Sequence, residues 1–161
     1  MSSDALLMNI FCYPRVTKRR EVSLLLGTGT EEIPQFGFMP RVPLVTGFVE
    51  RTEVDMKLGD VLFEAKLTEG DFQVQDARIV QQYRDLKEVF ECRKLPKQGK
   101  RYVSYQLLRN VLAAYALDLS FCVLLDARRQ DLLAVPYFFI AVLSSSSVRD
   151  SCPCFTTAED S

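Results

Sequence analysis

Asp55, Glu64 and Lys66 are the residues whose types and spacing could do chemistry. They lie in two short alternating runs, Thr52–Leu58 and Val61–Leu67, on either side of Gly59-Asp60. A two-residue Gly-Asp connection predicts a hairpin, because glycine supplies the positive φ that primed turns require. In a hairpin closed by that turn, Asp55 lies opposite Glu64 and Glu53 lies opposite Lys66. Side chains alternate along a strand, so all four share one face. Val54, Met56, Phe63 and Ala65 take the other face and predict a core side. Two carboxylates directly opposed, with Cβ atoms roughly 5 Å apart, repel and destabilise a sheet. A divalent cation between them turns that liability into a site, since Mg2+ prefers one or two carboxylates plus waters and phosphate oxygens. An ammonium at Lys66, aimed at the same spot, could orient a water and stabilise charge on a phosphorane-like transition state. The competing reading is a solvated hairpin face of alternating charge. A hairpin paired in another register would also separate Asp55 from Glu64.

The spacing of Asp55, eight intervening residues, then Glu64-Ala65-Lys66 resembles the PD-(D/E)xK nuclease superfamily, which includes restriction endonucleases. Val54 stands where the superfamily usually has proline. The longer stretch from Arg51 to Leu132, with EAKLTEGDFQ, SYQLLRNVLAAYAL and DARRQDL, is also similar to a group of bacterial restriction-endonuclease-like proteins. The resemblance implies a metal-dependent nuclease hydrolysing phosphodiester bonds of DNA. Asp55, Glu64 and the Ala65 carbonyl would hold Mg2+, with Mn2+ able to substitute, and Lys66 would position the attacking water. Glu53 would hold Lys66 or ligate a second metal. The resemblance also makes Gln73 and Tyr83 accessory candidates, and Glu21 a further acid from the first helix. The alternative is a catalytically inactive nuclease-fold module that binds nucleic acid or a protein partner.

Composition bounds the rest. At 161 residues, 48% hydrophobic and 25% charged, the chain has the make-up of one ordinary globular domain. Its net charge of −1 announces no global affinity for nucleic acid, so any positive charge must be concentrated locally. There is no histidine, which excludes Ser-His-Asp and Cys-His catalysis, histidine zinc sites and histidine general bases. Five widely spaced cysteines argue for a reducing compartment rather than a disulfide framework. Met1–Arg15 has no signal-peptide pattern, and no apolar run is long enough to span a bilayer, so a cytoplasmic protein without a membrane association is expected.

In chain order, Leu6, Leu7, Ile10 and Phe11 make a helical stripe. Thr17 caps a predicted helix from Lys18 to Leu26 that Gly27 stops. Thr28–Pro43 reads as a loop. Val42–Val49 is a strand completing an antiparallel meander with the hairpin. Asp71 caps a helix whose apolar stripe is Phe72, Ala77, Val80, Tyr83, Leu86 and Phe90. Glu91–Arg101 is a loop with five basic residues against one acid, and Arg93, Lys94, Lys97, Lys100 and Arg101 are the phosphate-contact candidates. Ser104 caps a helix, Tyr105–Leu117, whose polar strip of Gln106, Arg109, Asn110 and Ala113 puts Gln106 and Arg109 towards substrate. Leu119–Leu125 is a strand buried on both faces, and Arg128 and Arg129 follow at its carboxyl end, where α/β proteins place ligands. Asp131 caps a last apolar element, Leu132–Leu143.

The expected architecture is therefore a three-layer α/β/α sandwich around a mixed central sheet, with a restriction-endonuclease-like core. Residues 1–143 form a single domain, and residues 144–161 form a weakly ordered serine-rich tail. Cutting both strands of duplex DNA with one site per domain calls for a homodimer or two visits.

Overall fold

The computed structural model describes residues 3–66, 72–126, 128, 129, 131, 132, 135 and 155–158. Helix α1 (Ser3–Phe11) buries Leu7 and Phe11, one turn apart on a single stripe, and leaves Ile10 exposed. Helix α2 (Arg20–Leu26) ends where expected. Gly27 takes the left-handed conformation at φ 66 and its N–H bonds to the Ser23 carbonyl. Its start differs from expectation: Arg19, not Thr17, is the N-cap and supplies no side-chain bond, because Arg15–Arg19 is occupied by turns.

The predicted loop Thr28–Pro43 contains two strands. Strand β1 (Gln35–Phe38) joins the main sheet, and β2 (Arg41–Pro43) pairs antiparallel with β3 (Val49–Arg51) as a separate ribbon. The predicted single strand Val42–Val49 is therefore two strands reversing at Gly47, whose φ is 84 and whose N–H returns to the Leu44 carbonyl.

The hairpin has the expected register next to its turn, as far as Met56↔Phe63; beyond that pair Val54, expected beside Met56, packs instead with Leu62 and α5. Strand β4 (Val54–Leu58) pairs antiparallel with β5 (Val61–Lys66) through Met56↔Phe63, Lys57↔Leu62 and Leu58↔Val61. Gly59 sits at φ 55 in the turn, and a Cβ there would meet the Glu32 side chain at 3.1 Å. Gly59→Ala is accordingly expected to cost about 1–2 kcal/mol in denaturant unfolding, through a left-handed conformation that L side chains resist. An unchanged midpoint would show that the turn is not held in this conformation.

The long helix expected after Asp71 is broken. In its place stand β6 (Val74–Asp76) and two single-turn helices, α3 (Ala77–Val80) and α4 (Leu86–Val89). Phe72, Val80, Tyr83, Leu86 and Phe90 are all buried, so the apolar stripe is satisfied without a continuous helix. The physical reason is long-range backbone pairing. Val45 N–H bonds to the Gln82 carbonyl and Arg84 N–H to the Pro43 carbonyl, which takes residues 82–84 out of the helical ladder. Strands β7 (Lys97–Gln98) and β8 (Arg101–Val103) form a hairpin that starts in the predicted basic loop and runs past its end at Arg101, and β6 adds to β8.

Helix α5 (Tyr105–Leu117) has the predicted bounds. Ser104 precedes it at φ 57 without a side-chain cap; the first N–H groups, of Tyr105 and Gln106, are satisfied instead by the carbonyls of Gln73 and Phe72, each at 2.9 Å. Strand β9 (Ser120–Asp126) runs parallel to β5 through six residue pairs, from Val61↔Ser120 to Lys66↔Leu125. Strand β10 (Phe155–Ala158) lies parallel to β9. The remainder of the expected tail Ser144–Ser161, and most of the expected element Leu132–Leu143, lie outside the described residues.

The result is a mixed α/β fold whose main sheet has the order β1-β4-β5-β9, with β10 beside β9. One buried cluster joins Met56, Leu58, Phe63, Ala65 and Cys122 to Leu7 and Phe11 of α1 and Leu26 of α2. The other joins Leu62, Val123 and Leu125 to Leu107, Leu108 and Leu112 of α5, together with Val80, Tyr83 and Phe90. Along β5, then, odd residues face α1 and even residues face α5.

Candidate active site

Because even residues of β5 point to α5, Glu64 and Lys66 leave the sheet on the same side, beneath the first turns of that helix. Both are buried, at 0% and 7% exposure. Their side chains meet, with Lys66 Nζ 3.2 Å from Glu64 Oε1. Asp55 stands on the neighbouring strand, one residue beyond the last ladder pair, Met56↔Phe63. Its Oδ2 accepts a hydrogen bond from Ala65 N–H at 2.7 Å, so the carboxylate reaches across to the backbone between Glu64 and Lys66. The three residues singled out from the sequence are thus brought together.

The helix completes the arrangement. Gln106 Nε2 donates to Glu64 Oε1, and Asn110 Nδ2 donates to Glu64 Oε2 at 2.9 Å. The two amides are four residues apart and lie one above the other on the helix face that meets β5. Gln106, a candidate to face substrate, points its amide at Glu64 on the sheet. Asn110, on the same polar strip, is a direct partner of Glu64. The signal was present: a polar residue at i+4 from Gln106, on a helix otherwise rich in leucine and alanine.

Burial pushes the Glu64 carboxyl up from 4.5 to about 7, and the negative charge of Asp55 pushes in the same direction. Lys66 and the Asn110 amide oppose that rise without cancelling it. Ionising Glu64 here is therefore costly, through burial first and the neighbouring Asp55 second, with Lys66 as the opposing charge. This is the electrostatic setting a hard cation would relieve, and its acidic donors are oxygens, as Mg2+ requires. Among the described residues no three acidic, cysteine or histidine side chains gather at one point. A cation on Asp55 and Glu64 would complete its shell with waters and substrate oxygens, which is how Mg2+ is usually held. The residues fit the metal.

The chain matches the family model for restriction endonuclease associating with ARP over residues 1–154. It belongs to that family. Comparison with curated proteins and with solved structures returned no match.

In this member of that family, the accessory candidates fall into different places. Tyr83 is buried, but its hydroxyl is engaged away from Glu64. It donates to Glu50 Oε2 at 2.8 Å and lies 2.6 Å from the Tyr105 hydroxyl, which is 3.3 Å from Glu50 Oε1. Burial raises the proton affinity of both tyrosines, which keeps them neutral donors. The Arg109 guanidinium lies 5.3 Å from the Tyr105 ring centroid. Glu50 and Tyr105 were not singled out from the sequence, because their meeting depends on how the β2–β3 ribbon docks. Glu53 is exposed and lies beside Gly37 of β1, where a Cβ would come within 3.2 Å of its carboxylate oxygen. Gln73 is exposed and contributes its backbone carbonyl to the start of α5. Glu21 is exposed on α2, which packs on the opposite face of the sheet from Glu64.

Arg93, Lys94, Lys97, Lys100 and Arg101 are all exposed. Lys94 pairs with Glu91 at 2.8 Å, and Lys97 Nζ lies 4.6 Å from the Tyr102 ring centroid. Arg128 and Arg129 are paired with Asp126 at 2.6 Å and Asp131 at 2.7 Å, so acids adjacent in sequence already offset their charge. No described helix is long and apolar enough to cross a membrane.

Proposed function

We propose that this protein is a Mg2+-dependent nuclease that hydrolyses phosphodiester bonds of DNA at Asp55, Glu64 and Lys66. One observation carries the reading: a buried lysine and two carboxylates from adjacent strands converge on one place, in a chain of the restriction endonuclease family. Surface ion pairs do not need this arrangement. Burying charged groups costs stability, and such groups persist where chemistry uses them.

Asp55 and Glu64, with the Ala65 carbonyl, would hold the cation. When bound, Mg2+ supplies an acidified water and offsets charge on the scissile phosphate. The chain's own residues do the rest. Gln106 and Asn110 fix both oxygens of Glu64, so the carboxylate does not rotate away. Ala65 N–H fixes Asp55 in the same manner. Lys66, held by Glu64 and 5.9 Å from the Phe72 ring centroid, presents an ammonium that orients the attacking water and stabilises the growing charge on phosphate oxygens. The helices on either face of the sheet are read as the outer layers of the α/β/α sandwich, and a homodimer supplies the second site for a double-strand cut. The family's description adds ARP as an associating partner.

The test is Mg2+- or Mn2+-dependent cleavage of linear, branched and single-stranded DNA by the wild type beside Asp55→Ala. Wild-type cleavage that disappears in a folded Asp55→Ala variant is the expected result. An inactive wild type that also fails to bind Mg2+ would replace the enzyme with a non-catalytic nuclease-fold module.

A further inference from the structure

We propose that the β2–β3 ribbon is a nucleic-acid wedge, with Arg41 and Arg51 gripping phosphates and Phe48 at its tip stacking on a base. The proposal rests on the nuclease reading above and adds to it the element that would distort the substrate.

Three observations on the ribbon converge. Arg41 and Arg51 are direct cross-strand partners, so both side chains leave the same face, and both are exposed. Like charges directly opposed destabilise a ribbon, and among the described residues neither arginine has an ion pair to offset this. A phosphate between them would convert the repulsion into a two-point contact, the same physical logic that a cation brings to opposed carboxylates. Beyond the arginines, the turn that closes the ribbon exposes apolar side chains: Val45 at 62%, Phe48 at 75% and Val49 at 50%. An aromatic at such a tip, with cations at its base, has the chemistry of a side chain inserted between base steps.

The ribbon is also built to bear load at its root. Its inner face buries Val42 and presents Glu50 to the hydroxyls of Tyr83 and Tyr105. Its backbone pairs on the other side with residues 82–84. Tyr105 is adjacent to Gln106, which holds Glu64. The wedge is thereby anchored on the helix turn that shapes the candidate site, while its tip remains free of the core.

The test uses the full chain in a metal chelator, so that binding is read without cleavage. The probe is a short duplex carrying 2-aminopurine at a flexible pyrimidine–purine step. Wild-type binding is expected to raise 2-aminopurine fluorescence as the base unstacks. Phe48→Ala should lose that rise and bind roughly tenfold more weakly. Arg41→Ala/Arg51→Ala should weaken binding and lower the salt slope by about 2. All three positions are exposed, so the fold is not at stake. Wild-type binding with both variants unchanged overturns the wedge and leaves the nuclease reading standing. Wild type that binds no duplex overturns the wedge, and the nuclease reading is then decided by the cleavage and Mg2+-binding test above. A change from dimer to monomer in Phe48→Ala, with an unchanged DNA signal, assigns the tip to a second copy of the chain and overturns the wedge.

Discussion

Lys66→Ala is expected to lower DNA cleavage by about 10²–10³-fold or more, the usual loss when one preorganised donor is removed from a charged transition state. The same substitution has a second effect that a surface lysine would not show. Lys66 is the charge partner that opposes the rise in Glu64 proton affinity caused by burial and Asp55, and the balance lies at about 7. Without the ammonium, Glu64 takes a proton more readily still. Below pH 6 the variant should be close to wild type in denaturant unfolding, because a neutral carboxyl needs no counter-charge. Above pH 8 it should fall well below wild type, because folding then buries an unpaired carboxylate, for which losses of about 3–5 kcal/mol are usual. Lys66→Arg should restore the high-pH stability in part without restoring cleavage, since a planar guanidinium does not occupy the place of a compact ammonium. Equal destabilisation of Lys66→Ala at both pH values would refute the coupling between Lys66 and Glu64.

Wild-type protein in a chelator is expected to lose stability as pH rises from 5 to 8, and Mg2+ is expected to return it. The folded-state value for Glu64, about 7, lies above the ordinary 4.5. The folded protein therefore binds a proton over a range where the unfolded chain has released it. The stabilisation is complete below 4.5 and is lost as pH climbs through 7. The span corresponds to about 3 kcal/mol, on the scale of 1.4 kcal/mol for each tenfold change in proton affinity. A cation at Asp55 and Glu64 competes with that proton, so Mg2+ should raise the unfolding midpoint far more at pH 8 than at pH 5. Glu64→Gln should flatten the pH profile and abolish the Mg2+ response together. Gln106 Oε1 and Asn110 Oδ1, buried without partners, can accept from the new amide if their own amides turn over. A Mg2+ shift that survives in Glu64→Gln would place the cation elsewhere.

What could be read from the sequence was local. The β4–β5 register next to the turn follows from Gly59-Asp60 and from alternation over a few residues on each side, and the same alternation puts Glu64 and Lys66 on one face, with Asp55 close by on the partner strand. The bounds of α5 follow from its apolar stripe and the serine before it, although the carbonyls of Gln73 and Phe72, not the Ser104 side chain, satisfy its first N–H groups. The family resemblance over Arg51–Leu132 agreed with a family match over residues 1–154.

Tertiary structure decided the rest, because those contacts join residues far apart in the chain. Glu64 meets Gln106 and Asn110 across 42 and 46 positions, and no periodicity says which strip of a helix a distant carboxylate will choose. The stretch from Phe72 to Phe90 has helical spacing, yet Pro43 and Val45 claim the backbone groups of Gln82 and Arg84 and break it. Strand β1 is four residues with a glycine, too short to be recognised until β4 offers its open edge. By itself, the sequence determined which side chains could do chemistry and which strands carry them. Packing against a particular helix determined that Glu64 is buried and held by two amides, because burial and long-range hydrogen bonds belong to the folded chain as a whole.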